Sequence, residues 1–155
     1  MSTPLFLAIL RESRTRFSNQ LLNLTDADLV KKLPKTPNSV GFLIRHIADV
    51  ELLFAKNVFG ASDLKVSAKT VIEKKDSGEW TNLQELQEYC NSSFKALESI
   101  IEQQTEQDWS VTITTKEFGT KTKAEAFGRI VSHTAYHAGQ MAMMVKYGTN
   151  SSSSS

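Results

Sequence analysis

Apolar residues return every three or four positions in four separate stretches, the spacing that one buried face of an α-helix demands. The first stretch runs from about Thr3 to Leu24, with Phe6, Ile9, Leu10, Phe17, Leu21 and Leu24 as its stripe. Pro4 sits in its first turn, where a missing N–H costs nothing. The second runs from Val40 to Phe59, capped by Ser39 and stopped by Gly60. The third begins after a cap at Thr81 or Asn82 and reaches Gln104, with Leu83, Leu86, Cys90, Phe94, Leu97 and Ile101 on one side. The fourth spans Lys123 to Tyr147 and stops at Gly148. Within it, Gly128 and Gly139 are expected to weaken the helix slightly and to admit a close helix neighbour.

The connections differ in character. Thr25 suits the cap of a short turn, with Asp26 and Asp28 near its positive end. Leu33-Pro34-Lys35-Thr36-Pro37-Asn38 breaks any helix twice. Residues 61–79 are polar with few apolar anchors and read as a loop. Val111-Thr112-Ile113-Thr114-Thr115 alternates and is β-branched, and Phe118-Gly119-Thr120-Lys121 follows a short turn. A small β-hairpin is expected there, marginal by itself. The expectation is therefore an all-α chain: one four-helix bundle over residues 1–148, a hairpin before the last helix, and a flexible serine-rich tail over 149–155.

All three histidines of the chain fall on core-facing stripes. At 100° per residue, Phe42, Val50 and Leu53 lie within about 40° of His46. Ala126, Ile130 and Met144 flank His133 and His137 in the same way. The last two read H-x-x-x-H, so they stand one turn apart on one face. A lone inward histidine is usually a buried, hydrogen-bonded residue. Two adjacent buried imidazoles are harder to satisfy without a shared partner. The three together predict a metal site of neutral imidazoles, at about 2.1 Å from the ion. Three protein ligands leave a coordination position open, the catalytic pattern. An all-nitrogen set suits zinc, nickel, iron or copper. Asp49, one turn after His46 and about 60° off its direction, is a candidate to orient an imidazole or act as a base. A boundary carboxylate facing solvent is the plain alternative. Gln140 follows His137 along the same face and can bond a ligand or a metal-bound water. Tyr136 and Arg129 flank the site as candidates for an anionic substrate group, although such residues often just line a bundle edge.

Bulk properties narrow the partners. Lys+Arg is 18 against Asp+Glu 17, a balance that argues against nucleic acid. No stretch approaches the ~20 apolar residues that span a bilayer, and the first ten residues lack a signal-peptide pattern. The single cysteine, Cys90, excludes an internal disulfide. On an apolar stripe it reads as a buried inert thiol rather than a nucleophile. The lysines at 65, 69, 74 and 75 are interleaved with acids and read as a solvated loop. A cytoplasmic location is expected.

Two segments resemble the DinB-like, YfiT-related family of metal-dependent enzymes. One is Ser39-Val-Gly-Phe-Leu-Ile-Arg-His46-Ile-Ala-Asp49-Val-Glu51; the other is Ser132-His133-Thr-Ala-Tyr136-His137-Ala-Gly-Gln140. The resemblance covers almost the whole chain to Gly148. It implies an up-up-down-down bundle and a homodimer packed helix on helix. It also implies one divalent ion, zinc or nickel first and iron or manganese next, held by His46, His133 and His137. Many relatives carry Arg where this chain has Ala138. The resemblance implies a thiol-dependent S-transferase or isomerase acting on a small molecule, with a low-molecular-weight thiol as cosubstrate. In that reaction Asp49, Tyr136 and Gln140 would place the second substrate. Two other functions fit the same residues: a non-enzymatic dimeric stress-response or binding protein, and a metal-dependent hydrolase using bound hydroxide with Asp49 as base.

Overall fold

The computed structural model describes residues 1–150. Helix α1 spans Ser2–Asn23, α2 Asp26–Leu29, α3 Val40–Asn57, α4 Lys69–Ile72, α5 Leu83–Glu102 and α6 Lys123–Tyr147. Strands β1, Thr112–Thr115, and β2, Gly119–Thr122, pair antiparallel with Thr112 opposite Thr122. A single 3-10 turn, Gln107–Ser110, precedes them. The helix starts carry the expected chemistry. Ser39 accepts from Phe42 N at 3.2 Å, and Asn82, not Thr81, accepts from Glu85 N at 3.1 Å. Thr25 with Asp28 and Thr122 with Glu125 form capping boxes.

Side-chain pairings fix the helix directions. Along α1 and α6, Phe6 meets Phe127 and Gln20 meets Ala138, so the two run parallel. Along α1 and α5, Arg11 meets Glu98 and Gln87 meets Leu21, so these are antiparallel. Along α3 and α5, Ile44 meets Cys90, Glu51 meets Ser93 and Phe59 meets Gln104, a parallel pair. The four long helices therefore run up, down, down, up rather than in the expected up-up-down-down order. The physical reason lies in the connection between α3 and α5. Two consecutive parallel helices oblige the chain to travel back along the bundle, about 27 Å for the 18 residues of α3. Residues 58–82 make that return and lie against α3 on the way. Gly41 lets the end of this segment settle: a Cβ there would stand 1.9 Å from the Trp80 carbonyl oxygen.

The core divides into two apolar clusters. One gathers Phe17, Leu21, Ile44, Ile47, Cys90 and Met141, and the other Leu10, Phe54, Phe59, Leu97, Trp109 and Ile130. Between them lies a buried polar layer. Arg14 donates to both Glu51 oxygens at 2.8 and 3.0 Å and to the Cys90 carbonyl at 3.0 Å, and Ser93 donates to Glu51 at 3.0 Å. Arg14 is thus a core position of α1, whose seam is Leu7, Leu10, Arg14, Phe17 and Leu21. Ile9, expected in the stripe, is exposed. Gly128 and Gly139 face open space instead of a close helix neighbour. The hairpin is anchored through Phe118, whose ring lies 6.0 Å from that of Phe54. Thr149, expected in the tail, exchanges two backbone hydrogen bonds with Lys32, at 3.0 and 3.1 Å. The rest of the expected tail, residues 151–155, lies outside the described residues. No helix among the described residues is long and apolar enough to cross a membrane.

Candidate metal centre

His46 comes from the middle of α3, and His133 and His137 from one face of α6. Because α3 and α6 are antiparallel neighbours, the three side chains converge. One ligand atom from each lies within 4.8 Å of the others. The ring centroids are 5.1, 5.1 and 4.5 Å apart. His46 Nε2 stands 3.2 Å from His133 Nε2. Two nitrogens bound to one ion at tetrahedral geometry lie about 3.3 Å apart, so this spacing suits a shared cation.

Protonation state agrees. Burial, helped by the charge of His137, pushes His46 down to about 4. Burial, then the charges of His137, His46 and Arg129, pushes His133 down to about 3. Burial also lowers His137, against the opposing hydrogen bond to Gln140. Near neutral pH the rings are uncharged, the form that ligates metal. His137 Nδ1 donates to Gln140 Oε1 at 2.7 Å, which leaves Nε2 free for the common point. His133 Nδ1 is buried and has no hydrogen-bond partner among the described residues, so the ring's polar contact is the one its Nε2 makes with His46. Ligation through Nε2 would fix it. The donor set fits a divalent ion of zinc-like chemistry.

Asp49 is fully buried, at 0 % exposure. It accepts from Arg45 Nε at 2.9 Å, Tyr89 Oη at 2.6 Å, Thr70 N at 3.1 Å and Thr70 Oγ1 at 2.6 Å. Four donors occupy its acceptor positions, so the carboxylate is placed to orient neighbours and has no lone pair left for a general base. It reaches His46 only through Thr70, whose Oγ1 is 3.4 Å from His46 Nδ1. Tyr136 stands beside His137, centroids 5.3 Å apart, but is 65 % exposed and sits on the outer rim. Arg129 is exposed as well. Ala138 is buried and gives its carbonyl to Gln20, at 2.9 Å. The sequence reading missed Thr70, Tyr89 and Arg45. Only the apolar–polar boundary on the third helix hinted at Tyr89.

A family model, the DinB superfamily, matches residues 9–141. The chain belongs to the DinB superfamily. The match covers all three histidines and the return segment, and the four main helices with a hairpin before the last are those of a DinB-like fold. No curated protein matches the chain. In this DinB protein a cavity of about 270 Å³ opens beside the rings. Phe42, Leu43 and Val71 give it apolar walls, His46, His137 and Thr70 its floor, and Asn38 and Lys74 its polar edge. A larger cavity, about 350 Å³ near Leu29 and Thr81, contains no histidine and lies apart from this chemistry.

Proposed function

We propose that this DinB protein is a metal-dependent transferase that joins a low-molecular-weight thiol to an electrophilic small molecule. The observation that carries the reading is the meeting of three imidazoles beside a cavity whose lining holds no carboxylate. A divalent ion bound there would supply the positive charge that lowers a thiol's pKa and keeps it as thiolate, the reactive form. The thiol proton leaves to solvent, the sulfur forms a bond to the electrophilic carbon, and the leaving group departs with its bonding pair. His46 and His137 hold their rings at the cavity floor, steadied by Thr70 and Gln140. Phe42, Leu43 and Val71 exclude water from the apolar body of the electrophile, and Asn38 and Lys74 meet its polar end. Asp49, the residue that would serve a hydrolase as base, already accepts from four donors, which favours the transferase reading over it.

Zinc- or nickel-loaded protein, incubated with monochlorobimane and a panel of glutathione, bacillithiol, mycothiol, cysteine and coenzyme A, tests this. Faster bimane adduct formation than in the metal-free control, with chloride released, is the expected result. Equal rates with every thiol would remove the proposal.

A further inference from the structure

The parallel course of α3 and α5 sends residues 58–82 back across the face of α3 that carries His46. Thr70, on the single turn α4, is one point where this return segment is held, beside Asp76, which accepts from Ser39 N: Thr70 is buried and donates both its backbone N–H and its hydroxyl to Asp49, at 3.1 and 2.6 Å. Asp49 in turn gathers Arg45 from its own helix and Tyr89 from α5. One carboxylate thus ties together α3, α5 and the return segment. Two residues before Thr70, Ala68 takes φ +44°, a left-handed conformation that side-chain-bearing residues seldom adopt. Such strain persists where the surroundings over-determine it.

The hydroxyl of Thr70 has one hydrogen, and its short contact with the Asp49 carboxylate takes it. What faces His46 Nδ1, at 3.4 Å, is then an oxygen lone pair. A lone pair favours the tautomer that carries its proton on Nδ1. That tautomer leaves Nε2 unprotonated, on the side where His133 Nε2 stands 3.2 Å away. At 3.4 Å the contact is long for a hydrogen bond, so its effect is a preference between tautomers.

We propose that Thr70 is a positioning residue of the metal centre: it sets the His46 tautomer for ligation and couples the return segment, residues 58–82, to ion binding. The proposal rests on reading the histidine cluster as a metal site, and its test separates the two. Thr70→Val keeps the shape and removes the hydroxyl; Thr70→Ser keeps the hydroxyl. In the metal-free protein, long-range ¹H–¹⁵N NMR reads the His46 tautomer directly. The wild type and Thr70→Ser should show Nδ1–H, and Thr70→Val should lose that preference. Chelator competition should give Thr70→Val about 10- to 100-fold weaker zinc affinity, with Thr70→Ser close to wild type. Zinc should slow tryptic cleavage after Lys65, Lys69, Lys74 and Lys75 in the wild type and have much less effect in Thr70→Val.

Wild-type tautomer and affinity in Thr70→Val would overturn the proposal. So would a Thr70→Ser protein as weak as Thr70→Val. A wild type that binds no zinc while Thr70→Val still changes the His46 tautomer would overturn the metal reading and leave the positioning of the ring standing.

Discussion

Asp49→Asn changes one atom of the side chain and puts the buried hydrogen-bond pattern in conflict. In the native protein, one carboxylate oxygen accepts from Arg45 Nε and Tyr89 Oη, and the other from Thr70 N and Thr70 Oγ1. An amide has a single oxygen, so its NH₂ must face one of these donor pairs. Facing Thr70, it opposes a backbone N–H that cannot rotate, and it turns the Thr70 hydroxyl toward His46. Facing Arg45, it sets NH₂ against the guanidinium Nε–H, and in either orientation that guanidinium, in a side chain only 17 % exposed, loses its counter-charge. One buried donor left unsatisfied costs about 1–3 kcal/mol, and a lost charge-assisted bond about as much again. We take about 3 kcal/mol as the net loss, which lowers Tm by about 6–12 °C in a domain of this size. Metal affinity should fall with it, by about 10- to 100-fold, because the Thr70 hydroxyl no longer holds the His46 tautomer. Differential scanning calorimetry of the metal-free protein and chelator competition measure the two effects separately. An Asp49→Asn protein that melts within about 2 °C of wild type, with unchanged affinity, would refute the reasoning.

Three further outcomes follow from the same structure. Glu51→Gln leaves Arg14 buried without a counter-charge and should cost about 3–5 kcal/mol by urea denaturation, whereas Arg14→Met combined with Glu51→Leu should cost much less. The depressed histidine values give a pH dependence: the folded rings stay neutral while unfolded imidazoles take protons below the reference value of 6.5. Stability of the metal-free protein should be full above that value and decline as pH falls from 6.5 toward 4, and His133→Leu should flatten the decline. Cys90 is fully buried, and burial followed by the charge of Glu51 pushes its thiol well up, so it should stay silent to Ellman's reagent until denaturant exposes it.

Periodicity found the helices, and it found the histidines because a ligand pair on one helix must follow the helix's own repeat. His133 and His137 have to share a face, and the helical wheel alone turns His46 inward. It failed where a core position holds a polar group. Arg14 occupies the centre of the α1 seam, which the apolar pattern skips, and of the expected stripe Ile9 is exposed while Leu7 is buried in its place. Helix order was illegible for another reason: direction depends on which way residues 58–82 travel, and a polar segment carries no periodicity to show it. Thr70 was hidden for the same reason. A threonine in a polar loop looks like solvent-facing sequence until the crossing sets it against Asp49. Asp49 itself was visible as a neighbour of His46, but its engagement by Tyr89 and Thr70 joins residues 40 and 21 positions away.

The most direct test is the zinc stoichiometry of the wild type and of His46→Ala, by titration calorimetry at neutral pH with elemental analysis of freshly prepared protein. Helices α3 and α6 each supply part of the site, so the wild type should hold a single ion per chain, and removal of the α3 ring should abolish tight binding while the remaining pair retains a weak trace. Failure of the wild type to bind stoichiometrically, or equal affinity in His46→Ala, would contradict the claim that the two helices share one ion.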